Sequence, residues 1–78
     1  MDFKMLRENA GISQKEVADE LGYSSPQFVS NWERGIAFPP VQSFKRLAKL
    51  YKVSPKVLIE MKIDRTRAII KRAFRTAF

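Results

Sequence analysis

Cysteine and histidine are both absent from this 78-residue chain. Their absence excludes disulfide staples, thiolate or imidazole metal sites and imidazole acid–base chemistry. No metal and no cofactor is expected. The chain also lacks any apolar run near the roughly 20 residues that cross a bilayer. Its opening residues, MDFKMLRENA, hold no uninterrupted apolar stretch of the signal-peptide kind. A soluble, cytoplasmic protein without a membrane partner is the expectation. Strand-like alternation is missing too. Carboxylates are present, but nothing groups Asp19, Glu20 or Glu60 with a nucleophile or a ligand set, so no catalytic role is assigned.

The length permits one domain with a small core. The formal net charge is +7, and its placement says more than its size. Residues 1–61 hold nine basic and seven acidic residues, whereas residues 62–78 hold six basic and one acidic. The excess therefore sits in the tail. Charge of this kind favours a polyanionic partner but also serves plain solubility.

Helical spacing dominates the rest, which predicts an all-α protein. A first helix over about residues 2–10 puts Phe3, Leu6 and Ala10 on one face and stops at Gly11. Ser13 and Glu16 have the spacing of a capping box, so a second helix starts there, buries Val17, Ala18 and Leu21, and ends at Gly22. Ser25 followed by Pro26 marks the start of a third helix over about residues 26–34. The paired prolines Pro39 and Pro40 make residues 36–40 a loop. A fourth helix over 41–52 buries Phe44, Leu47, Ala48 and Tyr51, and a fifth opening at Ser54-Pro55 buries Val57, Leu58 and Met61.

Residues 13–35 carry the functional signal. In the third helix Val29 and Trp32 must point inward, which turns Gln27, Ser30, Asn31 and Arg34 outward or to the flanks. Gln27 and Asn31 share a face, and their amides can present a donor and an acceptor to adenine N7 and N6 in a major groove. The same residues also occur on ordinary solvated helices. Ser25 and Ser30 can touch DNA, or serve as a cap and a small spacer. Phe28 lies either at the edge of that face against a thymine methyl or partly buried. Arg34 suits a phosphate, and equally the negative end of its own helix. Gln14 and Lys15 start the second helix, where an N-terminus attracts a phosphate. Lys45 is a further basic candidate for phosphate.

The set Gly11-Ile12-Ser13-Gln14, Val17-Ala18, Leu21-Gly22, Ser30-Asn31-Trp32-Glu33-Arg34-Gly35, a loop proline and Leu47-Ala48 resembles the phage-repressor (Xre-type, lambda-repressor-like) helix-turn-helix family. The resemblance covers about residues 3–61. It implies a compact domain of five helices over residues 1–61 that binds double-stranded DNA through its third helix, as a dimer on a palindromic operator. It further implies a phosphate contact at Gln14 and a salt bridge between Arg7 and Glu33. Two departures stand out. The turn over residues 22–26 is one residue longer than the family's usual turn, and the loop 36–40 is apolar where relatives often carry basic residues. That loop either packs on the core or meets a partner.

Residues 62–78 form a basic amphipathic segment. Asp64 can cap a sixth helix with Ile63, Ile70, Phe74 and Ala77 as an apolar stripe and Ile69, Ala73 and Phe78 beside it. The stripe can cover its own domain or a second copy, with Ile63, Ile70, Phe74 and Phe78 as the candidate dimer contacts. The basic face is open to phosphates or to an acidic protein. Two readings of function follow: a DNA-binding transcriptional repressor, or an antitoxin or adaptor module that holds another protein and binds DNA as well.

Overall fold

The computed structural model describes residues 2–77, with side chains as far as Arg75. Phe78, named above as a dimer contact, and the Ala77 side chain lie outside the described residues. Every regular element is helical: α1 (Phe3–Ala10), α2 (Gln14–Leu21), α3 (Gln27–Glu33), a single 3₁₀ turn (Val41–Ser43), α4 (Phe44–Leu50) and α5 (Pro55–Ala77).

The first two helices begin where short polar side chains satisfy free backbone donors. Asp2 Oδ1 accepts from the Met5 amide at 2.8 Å. Ser13 Oγ accepts from the Glu16 amide and Glu16 Oε1 from the Ser13 amide, both at 3.0 Å, which completes the capping box. α2 stops at Gly22, whose φ of 84° lets the chain reverse at no steric cost. The Tyr23 amide then bonds back to the Ala18 carbonyl at 2.9 Å. α3 starts after Pro26, one residue later than the serine–proline signal implies, and Ser25 Oγ accepts from the Gln27 amide at 3.3 Å as the helix begins.

Among the described residues twelve apolar side chains are buried, and Leu47, Leu58, Val17 and Val29 are shielded almost completely. The core joins all five α-helices. Ala18, 1% exposed, sits where α2 meets its neighbours, so its small size permits their close approach. Trp32 is 4% exposed and fixes the inner side of α3. Leu21, Val57 and Met61, expected inside, are only partly covered and pack on the core margin. The middle of the apolar loop after α3 turns inward, where Phe38 meets Phe3 and Phe44 with ring centroids 5.1 and 5.9 Å apart, while Ile36 is 61% exposed.

The fourth helix differs from expectation at both ends: residues Val41–Ser43 form a 3₁₀ turn, and the α-helix begins only at Phe44. At its other end it does not reach residue 52. It ends at Leu50, and Lys52 adopts a left-handed φ of 57°, the position a glycine usually takes. The Val53 amide closes this turn on the Ala48 carbonyl at 3.0 Å. A further difference is larger: there is no separate sixth helix. Asp64 lies inside α5, a single run of 23 residues. Neither glycine nor proline follows Pro55, so nothing interrupts the backbone hydrogen-bond ladder, and the aspartate simply points outward. The basic amphipathic segment is thus the second half of α5. Arg65 is the last partly covered residue among those described, and residues 66–75 are all exposed. A helix of this length spans roughly 35 Å, which accounts for a molecular long axis of 44 Å against 24 and 21 Å.

Candidate nucleic-acid interface

With Val29 and Trp32 committed to the core, α3 offers the opposite side to solvent. Gln27 and Asn31 lie one turn apart there and are joined side chain to side chain. Gln27 Nε2 donates to Asn31 Oδ1 at 2.9 Å, and the Arg34 guanidinium donates to the same oxygen at 2.8 Å. The sequence spacing placed these residues on one face; it did not reveal that they form a connected row. In this row the Asn31 oxygen is engaged, so the amide N–H of Asn31 and the oxygen of Gln27 are the groups left for a ligand. A donor and an acceptor side by side match the N7 and N6 groups of adenine. Arg34 extends the row by a cation at the helix end.

Ser30 is partly covered on the flank of this face, and Ser25 is exposed at its start. Phe28 is 52% exposed and stacks on Tyr23, centroid to centroid 4.7 Å at 27°. Tyr23 in turn meets Trp32 edge-on at 5.9 Å. The long turn between α2 and α3 is therefore braced by an aromatic chain from the surface to the core. Tyr23 escaped the sequence reading, since a lone turn aromatic carries no periodic signal.

The far end of α3 is clamped. Arg7 Nε lies 2.6 Å from Glu33 Oε2, its second terminal nitrogen reaches Glu33 Oε1 at 3.2 Å, and the remaining one donates to the Ile12 carbonyl at 3.0 Å. Both side chains are mostly buried, at 14% and 6% exposed. The hydrogen bond to Glu33 raises the Arg7 pKa further above its already high value, so this guanidinium stays charged. Gln14 joins the cluster, its Nε2 donating to Glu33 Oε1 at 3.0 Å. Tyr51 borders the cluster, and burial pushes its phenol pKa up. One carboxylate thus ties α1, the start of α2 and the end of α3 together. The Gln14 side chain faces this cluster, which leaves the backbone amides at the start of α2 as the groups best placed for a phosphate.

The other basic residues are scattered. Lys15 pairs with Asp19 at 3.3 Å on the exposed side of α2. Lys45 is exposed beside the 3₁₀ turn. Arg46 reaches across from α4 to the Glu20 carbonyl at 2.8 Å, capping the negative end of α2. Arg65 of α5 donates to the Gly35 carbonyl at 3.2 Å, just beyond α3, and packs with Lys62 over the Phe38 ring. Neither long-range contact has a local sequence signature. Among the described residues no cluster of His, Cys, Asp or Glu could hold a metal ion, and no helix is long and apolar enough to cross a membrane.

Comparison with known proteins places this architecture. A helix-turn-helix family model matches residues 3–58, the span from the start of α1 into the first turn of α5. No curated protein and no solved structure gives a significant match. The matched span is most of the chain and contains the α2–turn–α3 unit, the clamp and the amide row. The chain belongs to the Xre-type, lambda-repressor-like helix-turn-helix family of DNA-binding transcription regulators, a family that is generally non-enzymatic.

Proposed function

We propose that the protein is a sequence-specific repressor that acts in the cytoplasm as a homodimer on a palindromic operator, with α3 in the major groove. The observation that carries this reading is the row Gln27–Asn31–Arg34 on the exposed side of a helix whose other side and end are fixed by Trp32 and Glu33. Gln27 and Asn31 read base edges, with Ser30 and Phe28 at the margin. Phosphates are met by the backbone amide of Gln14 and by Lys15, Ser25, Arg34 and Lys45. Half-sites for such a dimer lie about one helical turn apart, roughly 34–36 Å. No catalytic step, metal or cofactor enters. The dimer contact is drawn from Ile63, Ile70 and Phe74 on α5, all about half exposed. That same face favours a second reading, an antitoxin or adaptor that also holds a protein.

Binding to duplex DNA of defined sequence tests the proposal. Affinity should fall by about 0.9 log unit per log unit of salt for each phosphate neutralised. Gln27→Ala and Asn31→Ala should lose discrimination between operator and random duplex while remaining folded. Undiminished discrimination in both variants would refute base reading by this row.

A further inference from the structure

Two apolar grooves join end to end along α5. The deeper, about 510 Å³, runs between the 3₁₀ turn and the start of α5, with Val41, Phe44, Pro55 and Ile59 along it. The second, about 370 Å³, continues past Thr66 and Ile70, and the two share Lys62 and Ile63. Val41, Ile59, Ile63 and Ile70 are 65%, 47%, 48% and 49% exposed, so the apolar surface of the groove is open to a ligand. Ile69 stands roughly 100° round the helix from Ile70 and lines neither part.

Among the described residues every charged side chain along this groove is a cation. Lys45 stands on the α4 side, Lys62 where the two parts meet, and Arg67 and Lys71 along the second part. The carboxylates of α5 lie elsewhere: Glu60 pairs with Lys56 at 3.9 Å, and Asp64 lines a separate cleft with Phe3 and Arg65. An apolar floor between positive rims is complementary to an apolar stripe between carboxylates. Shape narrows the partner further. From Pro55 to Ile70 the axis of α5 advances roughly 22 Å, the length of a helix of about 15 residues. Ile59 and Ile63 form an i, i+4 ridge of the kind against which a second helix packs. Every regular element among the described residues is helical, so no strand edge is offered to an extended peptide. A flat bilayer would meet the rim but not the recessed Phe44, 7% exposed, and the phosphates of a nucleic acid would meet the cations and leave the floor uncovered.

We infer that this groove holds an acidic amphipathic helix of another protein, with its apolar stripe along Ile59, Ile63 and Ile70 and its carboxylates at Lys45, Arg67 and Lys71. The inference rests on the second reading above, that the chain also holds a protein, and says what that protein must present. A second copy drawn to Ile63 and Ile70 would compete for the same floor while setting like charges against each other. The acidic helix is therefore favoured at low salt and released as salt rises.

The test titrates the full chain into a labelled synthetic peptide of about 15 residues, with leucines at i, i+4 and i+7 spacing flanked by glutamates, and reads fluorescence anisotropy. A second peptide carries lysine in place of each glutamate. The acidic peptide should bind, and the basic one at least about 10-fold less tightly. Ile59→Asp, a half-exposed position away from α3, should weaken the acidic peptide roughly 100-fold. Lys71→Glu should weaken it about 10-fold, with helical circular dichroism unchanged in both variants. Equal affinity for the two peptides would overturn the inference, as would vesicles of phosphatidylglycerol or random duplex DNA bound at this face in preference to the acidic peptide. Acidic peptide bound with neither substitution having an effect would overturn the inference alone, since a protein partner would remain but away from this groove. No binding of either peptide would count against both the inference and the reading on which it rests.

Discussion

α3 and the second half of α5 solve opposite problems with the same secondary structure. α3 has seven residues, too few to be stable as an isolated helix. Its place is imposed from outside, by Trp32 and Val29 beneath it, Tyr23 beside it and the Arg7–Glu33 pair at its end. α5 has 23 residues, and after Arg65 every described side chain, to Arg75, is exposed. Its backbone ladder and its length sustain it. The difference teaches where accuracy is needed: a helix that presents amides to a groove must be held within a fraction of an ångström, whereas a helix that offers apolar surface and charge needs only to project.

The comparison yields predictions that can break it. The largest effect should come from beneath α3. Trp32→Ala should cost about 3–5 kcal/mol, so chemical denaturation should find the domain unfolded or nearly so, and lost DNA binding would then report unfolding. Next is the clamp. Arg7→Ala leaves the Glu33 carboxylate mostly buried without its charged partner, a cost of about 3 kcal/mol, read as a fall in denaturation midpoint. If that midpoint barely moves, α3 is not held from its end. On the outer side of the same helix, Asn31→Ala should leave stability within about 0.5 kcal/mol. It should take about 1–3 kcal/mol from discrimination at one base pair, measured by competition binding.

Smaller effects sharpen the contrast. Lys52→Gly should stabilise the domain by about 1 kcal/mol, because glycine relieves the left-handed backbone at the end of α4; a thermal melt shows this as a higher midpoint. Removal of residues 66–78 should change the stability of the monomeric domain least, by less than about 0.5 kcal/mol, since the described side chains from 66 to 75 are all exposed. A large loss at low protein concentration would show that the tail supports α3 after all.

The α3 side of this contrast was the more legible from sequence. Ser13, Gly22 and the pair Val29 and Trp32 act within a turn or two of their own positions, and local chemistry is what a sequence displays. The elements, the core and the orientation of Gln27 and Asn31 follow from such signals. What stayed hidden depends on distant partners. Arg46 finds the Glu20 carbonyl, Arg65 finds the Gly35 carbonyl, and Gln14 turns to Glu33, each over 19 residues or more. Asp64 shows a different limit. An aspartate is a good cap and also a tolerable interior residue on a solvated side, so its local chemistry does not choose between ending one helix and continuing it. The unbroken ladder from Pro55 chooses.

Selection of bound sequences from random duplex DNA, carried out in parallel with the native chain and with Asn31→Ala, tests the central claim most directly. The account predicts a two-fold-related consensus for the native chain, with half-sites about one helical turn apart, and relaxed preference in Asn31→Ala at one base pair of each half-site. Recovery of no consensus, or of the same consensus from both proteins, would contradict it.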